Sequence, residues 1–119
     1  HIPHQDAVFN ASRTALYVGA LMSGNYQYLN AALEDRLHQP YRIPLITGTE
    51  AVFEAAKANG AYGAIISGAG STLMAYVDPE KDCDIIAAAM TDAFEKYGQR
   101  STAHILKLDL NGAREKEHS

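Results

Sequence analysis

Apolar and polar positions along the chain change period several times, and each change predicts an element. Small residues recur at every fourth position, Ala7, Ala11, Ala15, Gly19 and Ser23. That period predicts a helix over 7–22, capped by Asp6, with the bulkier Val8, Leu16, Tyr17 and Leu21 on neighbouring faces. Ser23-Gly24-Asn25 breaks it. The small-residue ridge lets another backbone come close. It is read as helix packing within the domain, with a dimer contact as the alternative.

Leu29, Leu33 and Leu37 form a stripe that predicts a second helix over 26–37, with Glu34, Asp35 and Arg36 in water. Pro40 and Pro44 then predict an extended segment over 39–46, because a residue before proline is pushed out of the α region. Thr47-Gly48-Thr49-Glu50 offers a capping box for a helix over 50–59, burying Val52, Phe53, Ala55 and Ala56. Two short β-rich runs, 62–66 and 72–77, flank Ser67-Gly68-Ala69-Gly70-Ser71 and predict an antiparallel hairpin. Asp78-Pro79 then predicts a helix start, and Cys83, Ile86, Met90, Phe94 and Tyr97 carry the helical period to Gly98. Residues 102–108 read as a last strand, and the end of the chain as a flexible charged tail over 113–119.

The order hairpin, helix, strand is that of the second half of a split βαβ, or ferredoxin-like, α+β fold. Such a sheet needs a first strand, and none is visible before residue 61. Either the sheet has three strands or the missing one precedes His1, and the second is the expectation. The opening His1-Ile2-Pro3-His4-Gln5-Asp6, without Met, also reads as the interior of a longer protein.

Composition narrows the classes. The 119 residues suit one domain, with 47% hydrophobic and 20% charged residues. A single cysteine excludes a disulfide scaffold. The net charge of −4 speaks against nucleic acid as a partner, and no apolar run is long enough for a membrane span.

Few residues offer chemistry. The glycines of 67–72 permit positive φ and let a phosphate or another loop approach bare backbone. The same pattern also serves a plain flexible turn. It is not a Walker A loop, since no Lys follows, nor a dinucleotide fingerprint. Arg42, held between Pro40 and Pro44, suits a carboxylate or phosphate, against the commoner surface ion pair. His1 and His4 make a weak metal pair. His38 reads as a partner for a helix C-terminus, His104 as a strand residue, Arg13 as solvated and Cys83 as an inert core thiol. No nucleophile triad and no paired-carboxylate signature are present.

Three segments taken together resemble one family: Ile2-Pro3-His4-Gln5-Asp6-Ala7-Val8-Phe9-Asn10 with Ser12-Arg13; Asp35-Arg36-Leu37-His38-Gln39-Pro40-Tyr41-Arg42; and Ser67-Gly68-Ala69-Gly70-Ser71-Thr72. In this order they resemble the C-terminal domain of the bacterial homoserine kinases, within the GHMP small-molecule kinases. The likeness covers essentially all but the tail, so residues 1–112 are expected to be that domain. The glycine-rich motif is common to the whole family, and the segment 35–42 is what narrows the resemblance. It implies a full-length cytoplasmic enzyme that uses ATP and Mg2+ to phosphorylate the hydroxyl of L-homoserine, on the route to threonine. It implies that the ATP-binding loop lies in a separate N-terminal domain, with which this chain partners. The chain alone would then be inactive and bind no cofactor. Arg42 would hold the substrate carboxylate, and Ser67, Gly68, Ala69, Gly70, Ser71 and Thr72 would support the phosphate-binding loop. No catalytic residue and no metal ligand is expected here. Ser71 departs from the family's usual proline, which leaves the turn less stiff.

Two other readings accompany this one. The first is another GHMP kinase with a different acceptor. The second is a ferredoxin-like module that binds an amino acid and needs no catalytic residues. A homodimer is compatible with all three.

Overall fold

The computed structural model describes residues 1–68, 70–108 and 111. The chain is α+β, as expected. Helix α1 (His4–Ser23) leads through a 3-10 turn (Tyr26–Tyr28) into α2 (Leu29–Ala32). A loop precedes α3 (Gln39–Arg42), a second 3-10 turn (Ile43–Leu45) and α4 (Thr49–Ala58). Strands β1 (Gly63–Ile66) and β2 (Leu73–Tyr76) follow, then α5 (Cys83–Lys96).

The hairpin is antiparallel, with Gly63 opposite Tyr76 and Ile66 opposite Leu73. Helix α4 packs on the hairpin and α5 packs on α4, while α1 packs on α2 and α2 on β1. Val52 and Ala56 of α4 are fully buried, with Ile66 of β1 and Ile86 and Ala93 of α5 beside them in the core. Leu29 and Ala32 of α2 and Ala20 of α1 complete it. Leu33 presses on β1 so closely that a Cβ at Gly63 would stand 2.7 Å from its Cδ1. Tyr17 of α1 meets Tyr76 of β2 edge to face, with the hydroxyls 2.9 Å apart. Burial, and then the bond to Tyr17, push the Tyr76 hydroxyl's pKa well up.

Several boundaries differ from the expectation, each for a local reason. Helix α1 starts three residues early, behind Pro3, and Asp6 lies inside its first turn rather than capping it. Gly24 ends it at φ 75°, as the break predicts. The small-residue ridge does not pack within the domain: Ala11, Ala15 and Gly19 are exposed, and no atom lies within 4 Å of a Cβ built on Gly19. The second helix stops at Ala32, because the Asp35 carboxylate takes the amides of Leu37, His38 and Gln39 that a continuing helix would need.

Residues 39–45 are helical rather than extended, and only Ile46 keeps an extended backbone, at φ −117° and ψ 101°. Each proline sits in the first turn of its short helix, where its missing N–H costs nothing, and Ile43 keeps φ −51° and ψ −46° even before Pro44. The cap of α4 is Gly48 at φ 89°, and no side chain takes part. Thr49 instead turns its hydroxyl back onto the Ile46 carbonyl. Asp82, not Asp78, caps α5.

Residues 102–108 form no strand. Ile105, Leu106 and Leu108 are exposed, and no described strand edge pairs with them. Apolar residues supply only side chains; a strand also needs a neighbour for its backbone groups. Among the described residues the sheet therefore has two strands. The tail expected over 113–119, and Ala69, lie outside the described residues.

Candidate functional site

The segment 35–46 and the turn 67–72 form one connected unit. It starts at Asn10 on α1, whose side-chain amide donates to Asp35 Oδ1 at 2.6 Å while its Oδ1 accepts from the Arg36 amide at 2.8 Å. Asp35 also accepts from Leu37 at 2.8 Å and from Gln39 at 2.7 Å. Burial works to raise the Asp35 pKa, but the hydrogen bonds from Asn10, Gln39, Leu37 and His38 outweigh it and hold the carboxyl below its ordinary value.

From this knot two side chains reach the turn. Gln39 Oε1 accepts the Ile66 amide at 2.7 Å, at the end of β1. His38 Nε2 lies 3.0 Å from the Gly68 carbonyl, which can only accept, so that nitrogen carries the proton. The turn closes on itself through the Ser67 amide to Thr72 O at 2.8 Å and the Gly70 amide to Ser67 O at 3.3 Å. Gly68 and Gly70 have φ of 61° and 97°, which a side chain would resist. A Cβ at Gly70 would also stand 2.9 Å from Ile46 Cδ1, whereas Gly68 has no atom within 4 Å.

The space beside Gly68 is thus open to an approaching group. Ser67, Ser71 and Thr72 are exposed. Arg42, the last residue of α3, is half-buried, and among the described residues its guanidinium has no hydrogen-bond or ion-pair partner. A free guanidinium at this place can bind an anionic group in fork geometry. The described residues contain no cluster of three His, Cys, Asp or Glu side chains fit for a metal ion. No described helix is long and apolar enough to cross a membrane.

The sequence reading missed Asn10, Asp35, His38 and Gln39 as parts of this unit. Pro40 was the available signal, since it suits a first helical turn as well as an extended run. Arg13 is not simply solvated either. Its guanidinium and that of Arg36 flank the Phe9 ring at 4.5 and 3.7 Å from the centroid. Their partners Glu34 and Asp6 stand at 3.9 and 3.6 Å, spacings at which such surface pairs contribute little. His104 is exposed and lies outside any strand.

Comparison with known proteins places this unit in a family. The profile described as "GHMP kinases C terminal" matches residues 13–96. The chain belongs to the GHMP kinases. Within it lie α2 to α5, the hairpin and the whole of the unit except Asn10. This GHMP C-terminal chain is 49% identical over 106 residues to the homoserine kinase of a Picosynechococcus species, covering 89% of this chain and 34% of that one. It is 44% identical over 117 residues to the homoserine kinase of Crocosphaera subtropica, covering 98% and 38%. The crystal structure of a homoserine kinase from Cytophaga hutchinsonii superposes with a TM-score of 0.74 at 28% identity, covering 81% of this chain and 30% of that one. The GHMP C-terminal chain thus spans about a third of the length of the curated relatives it matches.

Proposed function

We propose that this chain is the acceptor-side domain of a homoserine kinase. The full-length protein, in the cytoplasm, transfers the γ-phosphoryl group of ATP, with Mg2+, to the hydroxyl of L-homoserine, giving O-phosphohomoserine for threonine biosynthesis. The observation that carries this is the likeness to proteins named homoserine kinase along nearly the whole of this chain. The geometry agrees with it. Phosphoryl transfer is mainly positioning and charge neutralisation. ATP supplies the transferred group when bound. Arg42 supplies a cation for the homoserine carboxylate, and 67–72 supply a glycine-bearing support for the phosphate-binding loop of the N-terminal domain. Mg2+ is left to the rest of the protein, as is the catalysis, so the chain alone is inactive.

The test is ADP release by the full-length protein with Mg-ATP and, in parallel, homoserine, mevalonate and galactose. Turnover of homoserine alone is the expected result, with none from the isolated chain. A folded full-length protein that leaves homoserine untouched would overturn the reading.

A further inference from the structure

We propose that Gln39 is a positioning residue that locks α3 to the glycine-rich turn, so that Arg42 and the turn keep one relative position. The proposal rests on the roles assigned above to Arg42 and 67–72. Gln39 opens α3 and Arg42 closes it, three positions on. Side chains so spaced rise from neighbouring points of one helical turn. Gln39 Oε1 accepts the amide of Ile66 at 2.7 Å. Ile66 is 5% exposed and immediately precedes Ser67. A backbone donor buried to that degree must keep a partner, so the bond fixes Gln39 to the base of the turn.

Gln39 is also held from behind. Its own amide donates to Asp35 Oδ2 at 2.7 Å, and Asp35 is bonded to Asn10 on α1. A side chain anchored at both ends has few conformers left to lose, so displacement at one end is passed to the other. Two further contacts join the segment to the turn, but neither can do the same. The His38 bond to Gly68 is exposed and exchanges with water. The approach of Ile46 to Gly70 is apolar and has no direction. Arg42 faces the acceptor, whereas the turn supports the phosphate side. A lock between them aligns the two halves of the reaction, and its loss should be felt by both substrates.

Gln39→Ala and Gln39→Glu in the full-length protein test this. The Glu variant keeps an acceptor oxygen for Ile66 and serves as the conservative rescue. Two readouts are taken: amide exchange of the peptide spanning 63–68, and KM for homoserine and for ATP alongside kcat. In Gln39→Ala exchange should quicken by about 5-fold, the factor that one net hydrogen bond carries. Both KM values should rise together, by more than kcat falls, and Gln39→Glu should restore most of the loss. Unchanged exchange would overturn the lock, and a rise in only one KM would overturn the coupling. If the unmutated protein does not phosphorylate homoserine, the functional reading falls by itself. Exchange then decides the lock alone, upheld if quickened and overturned if unchanged.

Discussion

Asn10 and Asp35 are 25 residues apart in sequence and 2.6 Å apart at their side chains, and this pair anchors the candidate site to the longest helix. Their side chains bond to each other and to the amides of 36–39, not to the glycine-rich turn. What they do is turn the chain out of α2 and into α3, which delivers His38, Gln39 and Arg42 to their places.

Asp35 should make stability depend on acid. Its folded pKa lies below the ordinary value, so its contribution is fully present above the unfolded pKa of about 4 and is lost as pH falls through the folded value. Asp35→Asn lacks the charge and keeps one carbonyl acceptor for several donors. It should cost about 1–3 kcal/mol at pH 7 in urea unfolding. The gap to the unmutated protein should shrink as pH is lowered toward 3. A gap that stays constant over that range would mean that the carboxylate charge plays no part.

Arg42→Ala should act on the acceptor. A charge-assisted bond to a carboxylate contributes roughly 1.5–3 kcal/mol, so KM for homoserine should rise about 10- to 100-fold. KM for ATP should stay within about twofold, since the phosphates lie elsewhere. Arg42→Lys should fall between, because an ammonium lacks the planar fork. Steady-state kinetics of the full-length protein with each substrate varied in turn reads all three, and equal rises in both KM values would contradict the assignment.

The class of fold and the hairpin were legible because they depend on short-range pattern: β-rich runs around glycines, and apolar positions at helical spacing. The bonds that tie His38 and Gln39 to the glycine-rich turn were not legible. They depend on α3, whose helical form depends on Asp35 side-chain bonds that no periodicity records. Leu37 illustrates the failure. It completes the Leu29–Leu33 stripe, yet the carboxylate two residues before it takes its amide and ends the helix sooner. Residues 102–108 failed for a different reason. They carry a short apolar run, but pairing is a property of two segments, and no described strand edge takes them up.

The two turn glycines should respond differently to alanine. At Gly68, φ is 61° and the space is open, so Gly68→Ala should cost only the conformational penalty of about 1 kcal/mol. At Gly70, φ is 97° and Ile46 Cδ1 would stand 2.9 Å from the new Cβ. Gly70→Ala should therefore cost more, about 2–3 kcal/mol, with part recovered in Gly70→Ala/Ile46→Val. Urea midpoints of the three variants give the comparison, and equal losses at the two sites would remove Ile46 from the account.

The start of α5 separates two aspartates that look alike in sequence. Asp78 precedes a proline and has the stronger helix-start signature, yet its oxygens accept from the Glu80 amide and the Tyr62 hydroxyl, each at 2.8 Å. Asp82 receives the amides of Asp84 at 3.0 Å and Ile85 at 3.3 Å, the bonds that define a cap. Asp82→Ala should thus cost about 1 kcal/mol and quicken amide exchange at Asp84 and Ile85, while Asp82→Asn should recover most of it. Asp78→Ala should loosen the 78–81 turn and leave those two amides as protected as before. Faster exchange at Asp84 and Ile85 in Asp78→Ala, with none in Asp82→Ala, would move the cap back to the residue that the proline signature favours.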